Sequence, residues 1–203
     1  MADTEASLRA AVTRAGRPSS DYDLNPEIRL PVDRTLRDAS VLIAVVDHEA
    51  SPGLILTKRS SRLKHHPGQI AFPGGKVDEG DLDASAAALR EAHEEIGLPS
   101  SSVRVLGTLP PHETVTGFMV TPVVSLISPG FEPVPEAGEV AGVFEVPLAH
   151  VLDPANYRIQ YRRWRGERRY YFTVPWGPYY IWGATARMLR ALADRMSGDA
   201  DRG

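Results

Sequence analysis

The run Arg90-Glu91-Ala92-His93-Glu94-Glu95-Ile96-Gly97 crowds three carboxylates and one guanidinium together. On a helix, Glu91 and Glu95 are i, i+4 neighbours and Glu91 and Glu94 are i, i+3, so the carboxylates converge along one side. Repulsion costs only roughly 0.2–0.5 kcal/mol per exposed pair, so crowding alone also fits an ordinary solvated face. The surroundings favour chemistry. Gly74 and Gly75 precede the run, Asp78, Asp81 and Asp83 follow them, and Arg90 adjoins the carboxylates. Carboxylates without a basic partner suit a hard divalent cation. Mg²⁺ takes one or two of them and completes its shell with phosphate oxygens and water. Glycines let the backbone approach such a group closely, and an arginine fork holds a carboxylate in place. A second group of residues, Lys58, Arg59, Arg62 and Lys64, fits either phosphate binding or a solvated loop. For His65 and His66, positioning or surface roles are expected ahead of ligation, because oxygen ligands are already at hand.

The acidic run needs a helix to present it. Leu89, Ala92 and Ile96 share a face over 84–96, and Gly97 before Leu98-Pro99 is a stop signal. Upstream, "SVLIAVVD" and "LILTKRS" flank the turn-like "HEASPG" and predict a hairpin. Two glycine-containing turns in "SRLKHHPGQIAFPGG" then lead to the helix. Beyond it, "VRVLGTLP", "FMVTPVVSLI", "VAGVFEVPL" and "RRYYFTV" read as strands, with "RRWRGE" as a charged turn. "ATARMLRALADRM" carries apolar residues at helical spacing and closes the fold. Near the start, Leu8, Ala11 and Val12 suggest a short amphipathic helix, followed by a proline-rich arm. The expected organisation is an N-terminal helix and arm over 1–38, one catalytic domain over 39–196, and a loose tail over 197–203.

A chain of 203 residues with 42% apolar content can bury one core. Its net charge of -3, with signs interspersed, gives no electrostatic case for nucleic-acid or membrane-surface binding. The absence of cysteine excludes disulfides, thiolate metal sites and a cysteine nucleophile. No apolar run reaches the ~18 residues of a membrane span, and the N-terminus lacks the order of a secretory signal. A cytoplasmic location is expected. "RRWRGERR" mixes Trp164 with arginines, but a charged hairpin tip accounts for it more simply than RNA binding.

Residues 72–98 resemble the Nudix box. Arg90, Glu91, Glu94, Glu95 and Gly97 fill its R-E-x-x-E-E-x-G half, with Ala92 and Leu98 at apolar sites. Asp81 stands where glutamate is usual, one residue farther from Arg90 than in the common pattern. The resemblance spans roughly 39–195. It implies an α/β fold, an α/β/α sandwich with a mixed sheet, and Mg²⁺- or Mn²⁺-dependent hydrolysis of a nucleoside diphosphate linked to another group. "LTKRSSRLKHHPGQIAFPGG" is also similar to the signature of the coenzyme A pyrophosphatase branch, with Lys64 where arginine is usual. The extra residue in the box, "TVTGFMVTPVV" and "YYIWGATARML" fit the same branch.

That branch implies cleavage of coenzyme A, and of acyl or oxidised forms, to 4′-phosphopantetheine and 3′,5′-ADP. Glu91 and Glu95 would be the principal metal ligands, with Glu94 adding a ligand or holding water and a Gly74 or Gly75 carbonyl completing one coordination sphere. Arg90 would orient the carboxylates, and Glu139 is the candidate general base. Lys58, Arg59, Arg62 and Lys64 would bind substrate phosphates. The aromatic group Tyr170, Tyr171, Phe172, Trp176, Tyr179, Tyr180 and Trp182 is expected mainly in core packing, with adenine stacking or a pantetheine channel as the alternative. The expected partner is a small molecule, with a homodimer left open. Hydrolysis of ADP-ribose or a nucleoside triphosphate, and a non-catalytic nucleotide sensor, remain the competing readings; the complete acidic set argues against the sensor.

Overall fold

The computed structural model describes residues 2–198 except Val32, Glu49, Ala50, His65 and Arg165. The role expected for His65 and most of the expected tail therefore lie outside the described residues. In chain order, helix α1 (Ala2–Thr13) is followed by strands β1 (Ser19–Ser20), β2 (Arg37–Val46), β3 (Gly53–Arg59), β4 (Ile70–Ala71) and β5 (Gly74–Lys76). Then come α2 (Ala84–Ile96), β6 (Val103–Thr108), β7 (His112–Glu113), β8 (Phe118–Ile127), β9 (Val140–Pro147) and α3 (Leu148–Leu152). A hairpin of β10 (Arg158–Trp164) and β11 (Glu167–Thr173) precedes α4 (Ala184–Ser197).

β2 runs apolar without alternation because both its faces are covered, as expected of a central strand. Ile43 and Val45 join Leu54, Leu56 and the inner faces of α1 and α4, including Leu8, Leu189 and Leu192. Leu42, Ala44 and Val46 join Ile55 and the Ala88, Ala92 and Ile96 face of α2 on the other side. These two apolar clusters make the α/β/α sandwich. The sheet is mixed: β2 pairs parallel with β8 from Arg37↔Phe118 to Val46↔Ile127, while β3 pairs antiparallel with β9.

The expected hairpin of β2 and β3 exists only at its closed end, Val45↔Leu54 and Val46↔Gly53. Beyond those pairs the strands part, and β5 pairs with β2 at Val41↔Gly74, Ser40↔Gly75 and Ala39↔Lys76. This splay draws the Gly-Gly turn into the sheet beside α2. A second difference concerns "RRWRGE": Arg162, Arg163 and Trp164 belong to strand β10, in register with Arg169, Arg168 and Glu167. Its charge disguised it, because β10 is solvent-exposed along its length and has no buried face to impose apolar alternation. No helix among the described residues is long and apolar enough to cross a membrane.

Candidate active site

α2 begins and ends where its sequence dictates. Asp83 is the N-cap, its carboxylate accepting from the Ala86 N–H at 2.8 Å, and Gly97 closes the helix in the left-handed region at φ 70°. The last-turn carbonyls then bind a distant segment. Val134 N–H donates to the Ile96 carbonyl and Glu136 N–H to the Glu95 carbonyl, both at 2.9 Å. The Glu136 carboxylate in turn accepts the Gly138 and Glu139 N–H groups at 2.8 Å. Helix capping thus anchors the loop that carries Glu139.

Glu95 points inward and is only 4% exposed. Its carboxylate accepts the Gly74 N–H at 3.1 Å. Burial pushes its pKa up to about 7; the Gly74 N–H and the Arg59 guanidinium oppose that rise, while the Glu91 and Glu139 charges add to it. Glu91 is half-buried and also raised, first by burial and then by Glu94 and Glu139, against the pull of Arg90. Glu139, far away in sequence, therefore shares one electrostatic neighbourhood with Glu91 and Glu95. Glu94 is exposed and contacts Arg90 at 3.2 Å.

Arg90 is the hub of the acidic groups. It forks onto Asp81 at 3.0 and 2.9 Å and donates to Glu91 at 3.0 Å, and to the Lys76 carbonyl at 3.0 Å. The fork, more than any other contact, raises the arginine pKa above its ordinary value and holds Asp81 below the usual carboxylate range. The Gly-Gly turn lets the strand approach. A Cβ on Gly75 would lie 2.4 Å from the Glu91 carboxylate, and one on Gly74, at φ 152°, would lie 2.4 Å from the Ser40 carbonyl oxygen.

The four basic candidates are not brought together. Arg59 lines a cavity of about 250 Å³, its charge acts on Glu95, and its buried Nε has no hydrogen-bond acceptor among the described residues. Lys58 leaves β3 on the other side, toward a hollow lined by Phe144, Tyr179 and Tyr180. Arg62 and Lys64 are exposed in the following loop. The aromatic group also divides: Tyr179 stacks on Phe144 at 3.5 Å, whereas Tyr170, Tyr171 and Trp182 line the cavity.

The donor set fits a hard divalent cation, being all oxygen and free of sulfur. Among the described residues, no three His, Asp or Glu side chains form a ready cage for an ion. A site built from one or two carboxylates, substrate oxygens and water needs none.

Residues 36–167 match the family described as the NUDIX domain. The chain belongs to the Nudix hydrolase family. Its members act on pyrophosphate bonds in small molecules and generally use divalent cations such as Mg²⁺ or Mn²⁺. The chain is 47% identical over 157 residues to an uncharacterized Nudix hydrolase NudL from Enterobacter sp. (strain 638), covering 77% of this chain and 81% of that protein. The NudL of Shigella flexneri serotype 5b (strain 8401) is 45% identical over 171 residues, covering 84% of this chain and 88% of that one. Among solved structures, the MutT protein from Methanosarcina mazei Go1 superposes with a TM-score of 0.52 at 16% identity, covering 85% of this chain and all of that one, a likeness of fold. In this Nudix protein, parts of the cavity wall lie outside the matched residues: Asp21, Tyr22 and Asn25 before them, and Tyr170, Trp182 and Met188 after them.

Proposed function

We propose that the chain is a divalent-metal-dependent pyrophosphatase that hydrolyses coenzyme A, and its acyl or oxidised forms, to 4′-phosphopantetheine and 3′,5′-ADP. The observation that carries the reading is the buried Glu95 carboxylate, held by the Gly74 N–H, on the same helix as Glu91, which the Asp81-locked Arg90 holds in place against the Gly-Gly turn. The coenzyme A signature over residues 56–75 supplies the substrate. Glu91 and Glu95 hold the cation, with Glu94 and the Gly74 carbonyl completing its protein ligands. When bound, Mg²⁺ or Mn²⁺ neutralises pyrophosphate charge and lowers the pKa of a water.

Arg90, locked by Asp81, fixes the direction of Glu91. Arg59 offers its unpaired donor to a phosphate oxygen and so orients the diphosphate. Glu139 takes a proton from the attacking water as it displaces the leaving phosphate at phosphorus. Lys58, Arg62 and Lys64 lie outside the cavity wall and act at most on the parts of the substrate that extend beyond it. The test is incubation with Mg²⁺ or Mn²⁺ and either coenzyme A or ADP-ribose, with products identified by mass. Release of 4′-phosphopantetheine and 3′,5′-ADP supports the assignment; cleavage of ADP-ribose alone overturns the substrate and keeps the hydrolase.

A further inference from the structure

The β10–β11 hairpin places Arg162 directly opposite Arg169. Residues paired in this way project on the same face, and like charges so placed are destabilising. Both side chains line the cavity that Arg59 enters from β3. Neither forms an ion pair among the described residues. Glu167 shares their face, two positions along β11, and bonds to neither. The cavity's own carboxylate, Asp21, is already engaged by His112 at 3.2 Å and by the Val115 N–H at 2.9 Å.

Arg162 is nonetheless restrained, and Arg169 is half-buried beside it. The Arg162 guanidinium lies 5.4 Å from the Trp164 ring centre and 5.0 Å from that of Trp182, which restrains it while its N–H edge meets no acceptor among the described residues. Two guanidinium groups on one wall of a cavity, one of them restrained by aromatic rings and neither ion-paired among the described residues, are suited to a phosphate dianion. Arg59 serves the diphosphate beside Glu95, so this pair calls for a second phosphate elsewhere on the same substrate.

We propose that Arg162 and Arg169 form a phosphate-monoester subsite that takes the 3′-phosphate of coenzyme A. The inference rests on the coenzyme A reading and deepens it, by making the hairpin the element that separates a 3′-phosphorylated nucleotide from other nucleoside diphosphates. Arg169 lies beyond the matched family residues, so the discrimination belongs partly to a segment outside the common domain.

The experiment compares kcat/KM for coenzyme A and dephospho-coenzyme A in the wild type, Arg162→Ala, Arg169→Ala and Arg163→Ala. Arg163 projects from the opposite face of β10 and serves as the control. The wild type is expected to favour coenzyme A by about tenfold to hundredfold, the range for one or two hydrogen bonds to a charged group. Arg162→Ala and Arg169→Ala bring that ratio toward one through KM, and Arg163→Ala keeps it. A wild type without preference, or cavity-facing variants that retain it, overturns the subsite while leaving the coenzyme A assignment standing.

Should the wild type cleave neither compound, the coenzyme A reading fails by itself. Equilibrium binding of 3′,5′-ADP and 5′-AMP then decides on the arginine pair. Tighter binding of 3′,5′-ADP that Arg169→Ala abolishes supports the subsite, and equal binding of the two nucleotides overturns it.

Discussion

Glu95 carries a carboxylate into a nearly solvent-free place with one backbone N–H and the Arg59 guanidinium to offset its lost hydration. Burying a charge without full compensation is costly, and a bound cation removes that cost. Mn²⁺ at a hundred times its Kd should therefore stabilise the wild type by about 2.7 kcal/mol, seen as a rise in melting temperature. Glu95→Gln should show little of that rise in the same thermal-shift measurement. Asp81 carries a different expectation, because its contacts are with Arg90 rather than with the proposed cation. Asp81→Asn loosens the fork that directs Arg90 toward Glu91 and should lower turnover by about tenfold to hundredfold. Its melting temperature should stay close to wild type, which separates lost positioning from lost fold.

At the scale of elements, α2 depends on its ends. Asp83→Ala removes the N-cap acceptor and should cost about 1 kcal/mol in urea denaturation, with the helix retained. This helix was legible in the sequence over the residues it occupies, because its apolar face and terminating glycine agree. Other elements were legible only in part. "SVLIAVVD" and "LILTKRS" predicted a hairpin from local pattern, whereas β3 holds only two positions of β2's antiparallel edge and β5 takes three others through a pairing between residues far apart in sequence. Strand β10 escaped notice because its exposed residues lack a buried face to mark the period. Glu139 stood out in sequence only as a loop glutamate entering a strand. Its approach to α2 depends on the helix's last carbonyls capturing Glu136, a contact that no local pattern encodes. The Asp81–Arg90 fork was hidden for the same reason, since the link is between side chains across a turn.

Across the whole molecule, the acidic centre and the substrate cavity come from different parts of the chain. α2, β5 and the Glu139 loop supply the carboxylates, while the N-terminal arm, the β10–β11 hairpin and the start of α4 wall the cavity. Asn25 joins arm to hairpin, donating to the Tyr170 carbonyl at 2.9 Å and accepting its N–H at 2.8 Å. It is only 2% exposed, so Asn25→Ala leaves both Tyr170 groups unpaired and should cost about 1–3 kcal/mol on urea denaturation, with a raised KM. The central claim is that the crowded carboxylates exist to hold a cation against a pyrophosphate. Its most direct test is turnover of coenzyme A by the wild type and Glu95→Gln in saturating Mn²⁺, with a chelated control. The account predicts 4′-phosphopantetheine and 3′,5′-ADP from the wild type, none with chelator, and background turnover from the variant; wild-type turnover in Glu95→Gln, or hydrolysis that survives chelation, would contradict it.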